Sequence, residues 1–304
     1  MSPRCPTVCP KARQSGFSLA EIMVASTVGL LLTLVATTML LAANASYLNT
    51  GASTRVDDSG RFALAILAQS IHQAGYHDDA GNASGGPGMP VIEPAAITGL
   101  DAANLPAHGA SIDHPLPPEA NGSDVLLIHF TGSADGATVN CAGFDETGEH
   151  AWSIFYVAKA DDGEAELRCK YKGASSWASD AVVRGVDSFQ VLYGIDTDTP
   201  RDGIANQYLT ASTIAALDGD IDPAGATAEE RDRDRAQKSN WRRVVAVRVA
   251  LLLHGEFGSR PPGSLLQRYE LFEGEPAVDE AMMPAPLQRR VRRVFTATYA
   301  VRNL

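Results

Sequence analysis

The first strong pattern along the chain is an apolar run without charge. No charged residue occurs from Ile22 to Thr54. An α-helix of about 20 apolar residues is long enough to cross the hydrocarbon core of a membrane. The pattern therefore predicts a membrane-spanning helix over residues 17–43, and it excludes a plain cytosolic enzyme.

A narrower apolar face continues this run and predicts an N-terminal helix over residues 17–76. Gly75 is placed to end it, since glycine readily adopts the left-handed conformation that helix ends use. Asn, Gly, Ser and Asp cluster at 49–60, which leaves a second arrangement open, with two helices broken there. The face recurs every three or four positions, as expected for one side of an α-helix, at Phe62, Ala63, Ile66, Leu67, Ser70, Ile71 and Ala74.

After this helix the pattern changes to a long tract and then to short strands. Residues 77–122 contain seven prolines and no sustained periodicity, so we expect an irregular loop. Residues 229–238 balance acids and bases and predict a solvated turn or a short helix. The chain is therefore predicted to be α+β, with the long helix packed on a C-terminal antiparallel β-sheet domain within 77–304. The runs of strand length lie at 123–131, 152–158, 165–172, 186–195, 244–253 and 291–301.

The distribution of charge indicates how the chain is oriented in the membrane. The 304 residues include 25 basic and 36 acidic side chains, a net charge of −11 at pH 7. This surplus of acid argues against a protein that coats nucleic acid through a basic surface. Residues 1–16 nevertheless contain Arg4, Lys11 and Arg13 and no acid. Because basic residues stay on the cytoplasmic side, we expect a single-pass inner-membrane protein with the remainder in the periplasm.

The four cysteines form two pairs. Cys5 and Cys9 lie in the basic N-terminal segment. Cys141 and Cys169 lie in the exported part, where an even pair in an oxidising compartment predicts a disulfide. Two cysteines so far apart without a histidine cluster make a poor zinc site.

A short motif, GFSLAE at residues 16–21, places one carboxylate just inside the apolar helix. An ionisable group within a membrane is costly and indicates a function. At these residues the sequence resembles the class III leader of type IV pilins and type II secretion pseudopilins. The resemblance implies that a prepilin peptidase removes residues 1–16 after Gly16 and that Phe17 is then N-methylated. It also implies that Glu21 pairs with the N-terminal amine of a neighbouring subunit during assembly.

Two further parts of the chain resemble PilW-type minor pilins: the GRFAL…L…I…AGY pattern at 60–76, and the C-terminal segments at 241–248 and 290–303. The resemblance implies a pilin-like fold and a minor pilin of a type IV pilus. Such a protein helps to prime assembly or lies at the tip, and so serves twitching motility, adhesion or DNA uptake. The implied partners are the prepilin peptidase, other minor pilins, the major pilin and a tip adhesin. The implied location is the inner membrane and then the pilus fibre at the cell surface.

Three alternatives stay open on the sequence. A minor pseudopilin of type II secretion shares the leader and the helix. A receptor module at the tip would bind DNA or a surface through residues 77–122 or the arginine-rich last strand. A signal-anchored periplasmic enzyme would keep its N-terminus uncut. The sequence contains no GxSxG, HExxH or P-loop motif, so we predict a protein that is not an enzyme and has no cofactor.

Oxygen ligands at alternate positions, Asp196, Asp198 and Asp202, are similar to a calcium-binding loop. The pattern departs from an EF-hand because Pro200 occupies the fifth position and no Glu occupies the twelfth. A solvated, Asp-rich turn is therefore the favoured interpretation, with calcium as the alternative. The seven histidines show no ligand spacing, and we predict no metal site for them. His129 lies within an apolar strand, where a hydrogen-bonded histidine of the core or sheet edge is expected.

The C-terminal arginines form a basic cluster in an acidic chain. Three interpretations are open: contact with DNA phosphates, contact with an acidic patch on a neighbouring subunit, or exposure to water. We regard nucleic acid as the least favoured partner. The cluster consists of Arg289, Arg290, Arg292 and Arg293.

Overall fold

The structure, a computed structural model, describes residues 16–77, 93–109, 112, 114–133, 135–173 and 176–303. The predicted leader, apart from Gly16, lies outside the described residues, and so does the part of the predicted loop at 78–92. The chain divides into two compact units between Thr50 and Gly51, and each is described by itself.

One helix, α1, spans Leu19–Gln73. Residues 49–60, where the sequence left a break open, are helical. Gly75, which was predicted to stop the helix, follows its last residue by two positions and has a φ of +71°. A Cβ atom at Gly75 would collide with the carbonyl oxygen of Asn303, so this turn requires glycine for both its conformation and its close packing.

In the unit that begins at Gly51, α1 buries one face whose positions recur every three or four residues. Ala63, Leu67, Ser70 and Ile71 lie on it as predicted. Phe62 does not, because its side chain lies off that face and is 53% exposed. The buried positions of the helix are Val56, Gly60, Ala63, Leu67, Ser70 and Ile71.

The first sheet is an antiparallel meander of five strands in chain order. Three of its strands lie close to the predicted positions, but two were not predicted. The expectation of an irregular loop over 77–122 is wrong at Ile97–Leu100, which pairs with the second strand through Ile97 and Ile128. Four residues are too few for a visible alternation. The strands are β1 Ile97–Leu100, β2 Val125–Phe130, β3 Ala151–Lys159, β4 Ala165–Lys172 and β5 Trp177–Arg184.

The second sheet has four antiparallel strands, in the order 292–300, 244–254, 186–195 and 207–209, and the segments 268–269 and 278–279 pair in a separate ribbon. The predicted segment at 229–238 forms a helix whose N-terminus is capped by Thr227 and Glu230. The strands are β6 Val186–Ile195, β7 Gln207–Leu209, β8 Val244–His254, β9 Arg268–Tyr269, β10 Val278–Asp279 and β11 Arg292–Ala300. The shorter helices are α2 Ala211–Gly219 and α3 Ala228–Lys238.

The main core of this unit joins the helix to both sheets. Leu67 and Ile71 of α1 share a continuous buried cluster with Phe155 of β3, Phe189 of β6 and Leu251 of β8. Burying a side chain of this size contributes about 1.5–3 kcal/mol. The predicted α+β class, a long N-terminal apolar helix with an antiparallel β domain, is confirmed.

Candidate functional site

The residues that the leader motif singles out lie at the N-terminal end of α1, with Glu21 in its first turn. Phe17 is 85% exposed. The backbone N–H of Ser18 donates to Oε2 of Glu21 at 2.8 Å, and the backbone N–H of Glu21 donates to Oγ of Ser18 at 3.2 Å. This is a capping box, which the Ser-x-x-Glu spacing encodes and the sequence analysis missed. The hydrogen bonds between Ser18 and Glu21 cap the helix, but Ser18 has no positive charge that could pair with the Glu21 carboxylate.

The apolar part of α1 also satisfies its own hydroxyl groups. Hydrocarbon offers no hydrogen-bond partner, so a polar side chain in a spanning helix needs one within the protein. The helix is long and apolar enough to cross a membrane, and its apolar stretch is exposed. Five hydroxyls in this stretch donate to carbonyl oxygens three or four residues earlier at 2.7 to 2.9 Å, namely Ser26, Thr27, Thr33, Thr37 and Thr38.

The two PilW-like parts of the sequence meet in the second unit. The ring of Phe295 lies directly on Gly60 of α1, where any Cβ atom would collide with it. Further along β11, Oη of Tyr299 donates to the carbonyl of Leu64 at 2.9 Å. The GRFAL motif and the last strand therefore form one helix–strand contact, and the glycine of the motif is required for close approach.

Half of the basic cluster is not a surface patch, because Arg290 and Arg292 are buried. The side chain of Arg292 is fully buried; Nε donates to Oδ2 of Asp187 at 2.7 Å and Nη1 to Oε1 of Glu280 at 2.9 Å. Arg290 is also buried, and its Nη1 donates to Oε1 of Glu164 at 3.1 Å. For these two arginines the three sequence interpretations are all wrong.

The other two arginines of the cluster lie near the surface. Nη1 of Arg293 lies 3.0 Å from Oδ1 of Asp57 on α1, and half of the Arg293 side chain is exposed. Arg289 is exposed, and its Nε donates to the carbonyl oxygen of Ser264 at 3.3 Å. The sequence signal for part of this division is strand alternation, which puts Arg292 and Arg293 on opposite faces of β11. The acidic partners could not be read from it, since they are distant in the chain.

Glu280 is the acidic centre of this network and is fully buried. Burial alone would raise its pKa, but backbone N–H groups of Gln267 and Arg289 and the guanidinium groups of Arg260 and Arg292 hold the pKa below its usual range. The network therefore keeps the carboxylate charged inside the protein.

The Asp-rich turn follows β6 and is organised by backbone donors. Asp196 is fully buried, and its carboxylate accepts the backbone N–H groups of Asp198, Asp202 and Gly203 at 2.8 to 2.9 Å. Burial acts to raise the pKa of Asp196, and these hydrogen bonds more than offset it, so that its pKa is lowered. The carboxyl oxygens of Asp196, Asp198 and Asp202 lie within 4.8 Å of one another. The hydrogen bonds already account for the buried carboxylate without calcium.

Cys141 and Cys169 are bonded to each other, as predicted, with Cα atoms 5.8 Å apart. The bond links the loop before β3 to β4 across 28 residues of sequence. In the chain-entropy model a closed loop of this size stabilises the fold by about 3.6 kcal/mol.

Three side chains that the sequence did not connect meet at one end of the first sheet. His129 is buried, and its Nε2 lies 3.0 Å from Nδ1 of His150. Oε2 of Glu93 lies 3.5 Å from the same nitrogen of His150. Burial, together with His150 and His77, lowers the pKa of His129 to about 4. The expectation of a hydrogen-bonded histidine is confirmed, but its partner is a second histidine.

Comparison with known proteins gives one family. Residues 154–303 match the family model described as Type IV Pilus-assembly protein W, or PilW. Among solved structures, a type IV-like pilin from Thermus thermophilus is 16% identical, with a TM-score of 0.37 over 82% of this chain and 98% of that chain. No curated protein matches the chain.

The family match includes both C-terminal segments that resemble PilW proteins, at 241–248 and 290–303, and does not include 60–76. The predicted resemblance to PilW is thereby confirmed on the part of the chain that forms β4 to β11 and most of β3. Residues 154–303, just under half of the chain, are similar to the PilW family of type IV pilus-assembly proteins.

Proposed function

We propose that the protein is a minor pilin of a type IV pilus that contributes to priming of assembly or to the pilus tip. The family match over residues 154–303 carries the proposal. An exposed apolar helix long enough to span a membrane supports it. The role is structural: helices bundle in the fibre, and the β domain lies outside the bundle.

The proposal includes a defined order of processing and assembly steps for the chain. It is inserted in the inner membrane with residues 1–16 in the cytoplasm, cut between Gly16 and Phe17, methylated at Phe17 and then drawn into the fibre. Its partners are the prepilin peptidase, other minor pilins, the major pilin and a tip adhesin. DNA is not proposed as a direct partner, because Arg290 and Arg292 bind internal carboxylates.

N-terminal peptide mass spectrometry on the native protein tests these processing and assembly steps. Sheared surface material and membranes are analysed separately. A chain that begins at N-methylated Phe17 in the surface fraction supports the proposal. A chain that still begins before Gly16 contradicts it and favours a signal-anchored protein. Processed protein confined to membranes, together with loss of secretion on deletion, favours a type II secretion pseudopilin instead.

Glu21 has two separable roles in this proposal, a cap and a charge. A glutamine at position 21 retains the capping hydrogen bond but removes the charge that would pair with a neighbouring amine. We therefore expect Glu21→Gln to be cut and folded normally, with its amount in sheared fibres reduced at least about tenfold. One unpaired buried charge costs several kcal/mol, and about 1.4 kcal/mol is already a factor of ten. Fibre content is measured by quantitative immunoblotting.

Glu21→Ala and Ser18→Ala complete the comparison. Ser18→Ala removes the cap and keeps the carboxylate, so it should enter fibres close to the wild-type amount. If Ser18→Ala and Glu21→Ala are equally defective while Glu21→Gln is normal, Glu21 acts as a cap and the charge-pairing proposal fails.

A further inference from the structure

One end of the first sheet gathers two imidazoles and a carboxylate. Nε2 of His129, Nδ1 of His150 and a carboxylate oxygen of Glu93 all lie within 4.8 Å of one another. The His129–His150 pair is 3.0 Å apart and the His150–Glu93 pair is 3.5 Å apart. None of these residues has a place in the proposed pilin function.

Strand pairing fixes this arrangement. The backbone N–H of His129 in β2 donates at 2.9 Å to the carbonyl of Ala96, which lies three residues after Glu93. On the other side, His129 is paired with Trp152 of β3, two residues after His150. The Trp152 ring also packs on the His129 ring, with centroids 4.4 Å apart. The guanidinium of Arg242 donates to the backbone carbonyl of Glu93. Backbone and packing thus hold all three side chains at one place.

The donor atoms have the chemistry and the spacing of a zinc site. Two histidines and one glutamate form an established zinc ligand set that leaves the fourth position for water. Zinc bonded at about 2.0–2.1 Å to tetrahedral ligands keeps their atoms about 3.3 Å apart. The measured separations of 3.0 and 3.5 Å lie on either side of that value.

The hydrogen bonding of Glu93 and the solvent exposure of Glu93 and His150 also favour a bound cation. Oε2 of Glu93 is shielded from solvent and accepts no hydrogen bond from the residues that the structure describes, an arrangement that usually requires an ion or water. His150 and Glu93 are 43% and 37% exposed, which gives an ion access to the site.

We propose that His129, His150 and Glu93 form a zinc-binding site that ties the segment before β1 to strands β2 and β3. The bonds are Zn–Nε2 of His129, Zn–Nδ1 of His150 and Zn–O of Glu93, with water as the fourth ligand. The site stabilises this end of the sheet and has no catalytic role in the proposal.

The test uses the full chain in detergent, without a histidine tag, and with Cys5→Ser and Cys9→Ser so that leader thiols do not bind metal. Zn²⁺ alone is titrated in competition with a chromophoric chelator. We expect one equivalent to bind. His150→Ala and Glu93→Gln should each weaken binding at least about tenfold, the lower bound known for loss of supporting groups around a metal. His114→Ala, which changes an exposed histidine outside the cluster, should bind as the parent does.

A second readout distinguishes a site from a histidine hydrogen bond. Bound Co²⁺ should give the visible absorption of a tetrahedral nitrogen–oxygen site, which His150→Ala abolishes while its far-ultraviolet circular dichroism stays unchanged. The proposal is overturned if fewer than half of the chains bind Zn²⁺. It is also overturned if His114→Ala weakens binding as much as His150→Ala, or if both ligand variants bind like the parent. In those cases the cluster is a hydrogen-bonded pair beside a carboxylate.

Discussion

Gly60 is the residue at which a missing side chain matters most for the packing of α1. Alanine normally stabilises a helix interior by about 1 kcal/mol relative to glycine. At Gly60 a Cβ atom would enter the ring of Phe295. We therefore expect Gly60→Ala to lower the free energy of unfolding by about 1–3 kcal/mol, the usual cost of overpacking.

Gly51 provides the matched control in the same helix, since a Cβ atom there meets nothing within 4 Å. Gly51→Ala should be neutral or stabilising in the same denaturant titration of the full chain in detergent. Adding Phe295→Ala to Gly60→Ala tests the mechanism, because the two changes should then be strongly non-additive. Additive effects would mean that the ring does not cause the requirement for glycine.

At the scale of elements, β11 contributes two different surfaces to the protein. One face contacts α1 through Phe295 and Tyr299. The other begins with Arg292, which lies between the carboxylates of Asp187 and Glu280. The strand therefore holds the helix on one side and neutralises buried acid on the other.

Arg292 and Arg293 of this strand and Arg289 just before it should lower the free energy of unfolding by different amounts when each is changed to methionine. Removing Arg292 takes its guanidinium group away from the buried carboxylates of Asp187 and Glu280. We therefore expect the free energy of unfolding to fall by about 3–5 kcal/mol. Arg293 forms a half-exposed ion pair with Asp57, which is worth about 0.2–1 kcal/mol. Exposed Arg289 should change stability by no more than about 0.5 kcal/mol. Unfolding free energies of the three full-length variants provide the measurement, and equal effects would contradict the internal network.

The sequence was a good guide to elements that carry their own periodicity. The strands β4 and β6 begin and end at the predicted residues, 165–172 and 186–195. The strands β1 and β5 were missed for physical reasons. The first has four residues, and the second shows a mostly half-exposed pattern without clear alternation. Both are held by neighbouring strands more than by their own composition.

The candidate sites also divide into those that the local sequence encodes and those that depend on contacts between distant segments. The disulfide and the capping box depend on residue type or local spacing, so a sequence can encode them visibly. The buried arginine network and the Glu93–His129–His150 cluster depend on strand pairing between distant segments. The basic run therefore indicated a surface, although Arg290 and Arg292 are buried against acidic side chains from distant parts of the chain.

At the scale of the whole second unit, Asp124 links the two sheets. Its Oδ1 accepts the backbone N–H of Ala102 at 2.9 Å, and its Oδ2 accepts that of Val191 in β6 at 2.8 Å. The backbone N–H of Asp124 donates to the carbonyl of Phe189, also in β6, at 2.8 Å. Burial raises the pKa of Asp124 to about 7, although the two N–H donors oppose the shift.

This raised pKa makes the stability of the unit depend on pH in a defined direction. The pKa of an aspartate in an unfolded chain is about 3.9, whereas the pKa of Asp124 in the folded chain is about 7. Between these values the folded chain binds one more proton. The contribution of Asp124 is therefore fully present below about pH 4 and is lost as the pH rises through 7, at about 1.4 kcal/mol per pH unit at most.

The comparison that isolates this group is between the wild type and Asp124→Asn, with unfolding free energies measured from pH 4 to pH 8. Asparagine has one amide oxygen for two N–H donors, so we expect the variant to be less stable at pH 4. Its stability should then fall less with rising pH, and the two curves should converge towards pH 8. Asp58→Asn, which changes an exposed carboxyl of α1, should keep the wild-type slope. Parallel curves for the wild type and Asp124→Asn would mean that the carboxyl linking the sheets is ionised throughout, and that its two backbone donors outweigh the cost of burial.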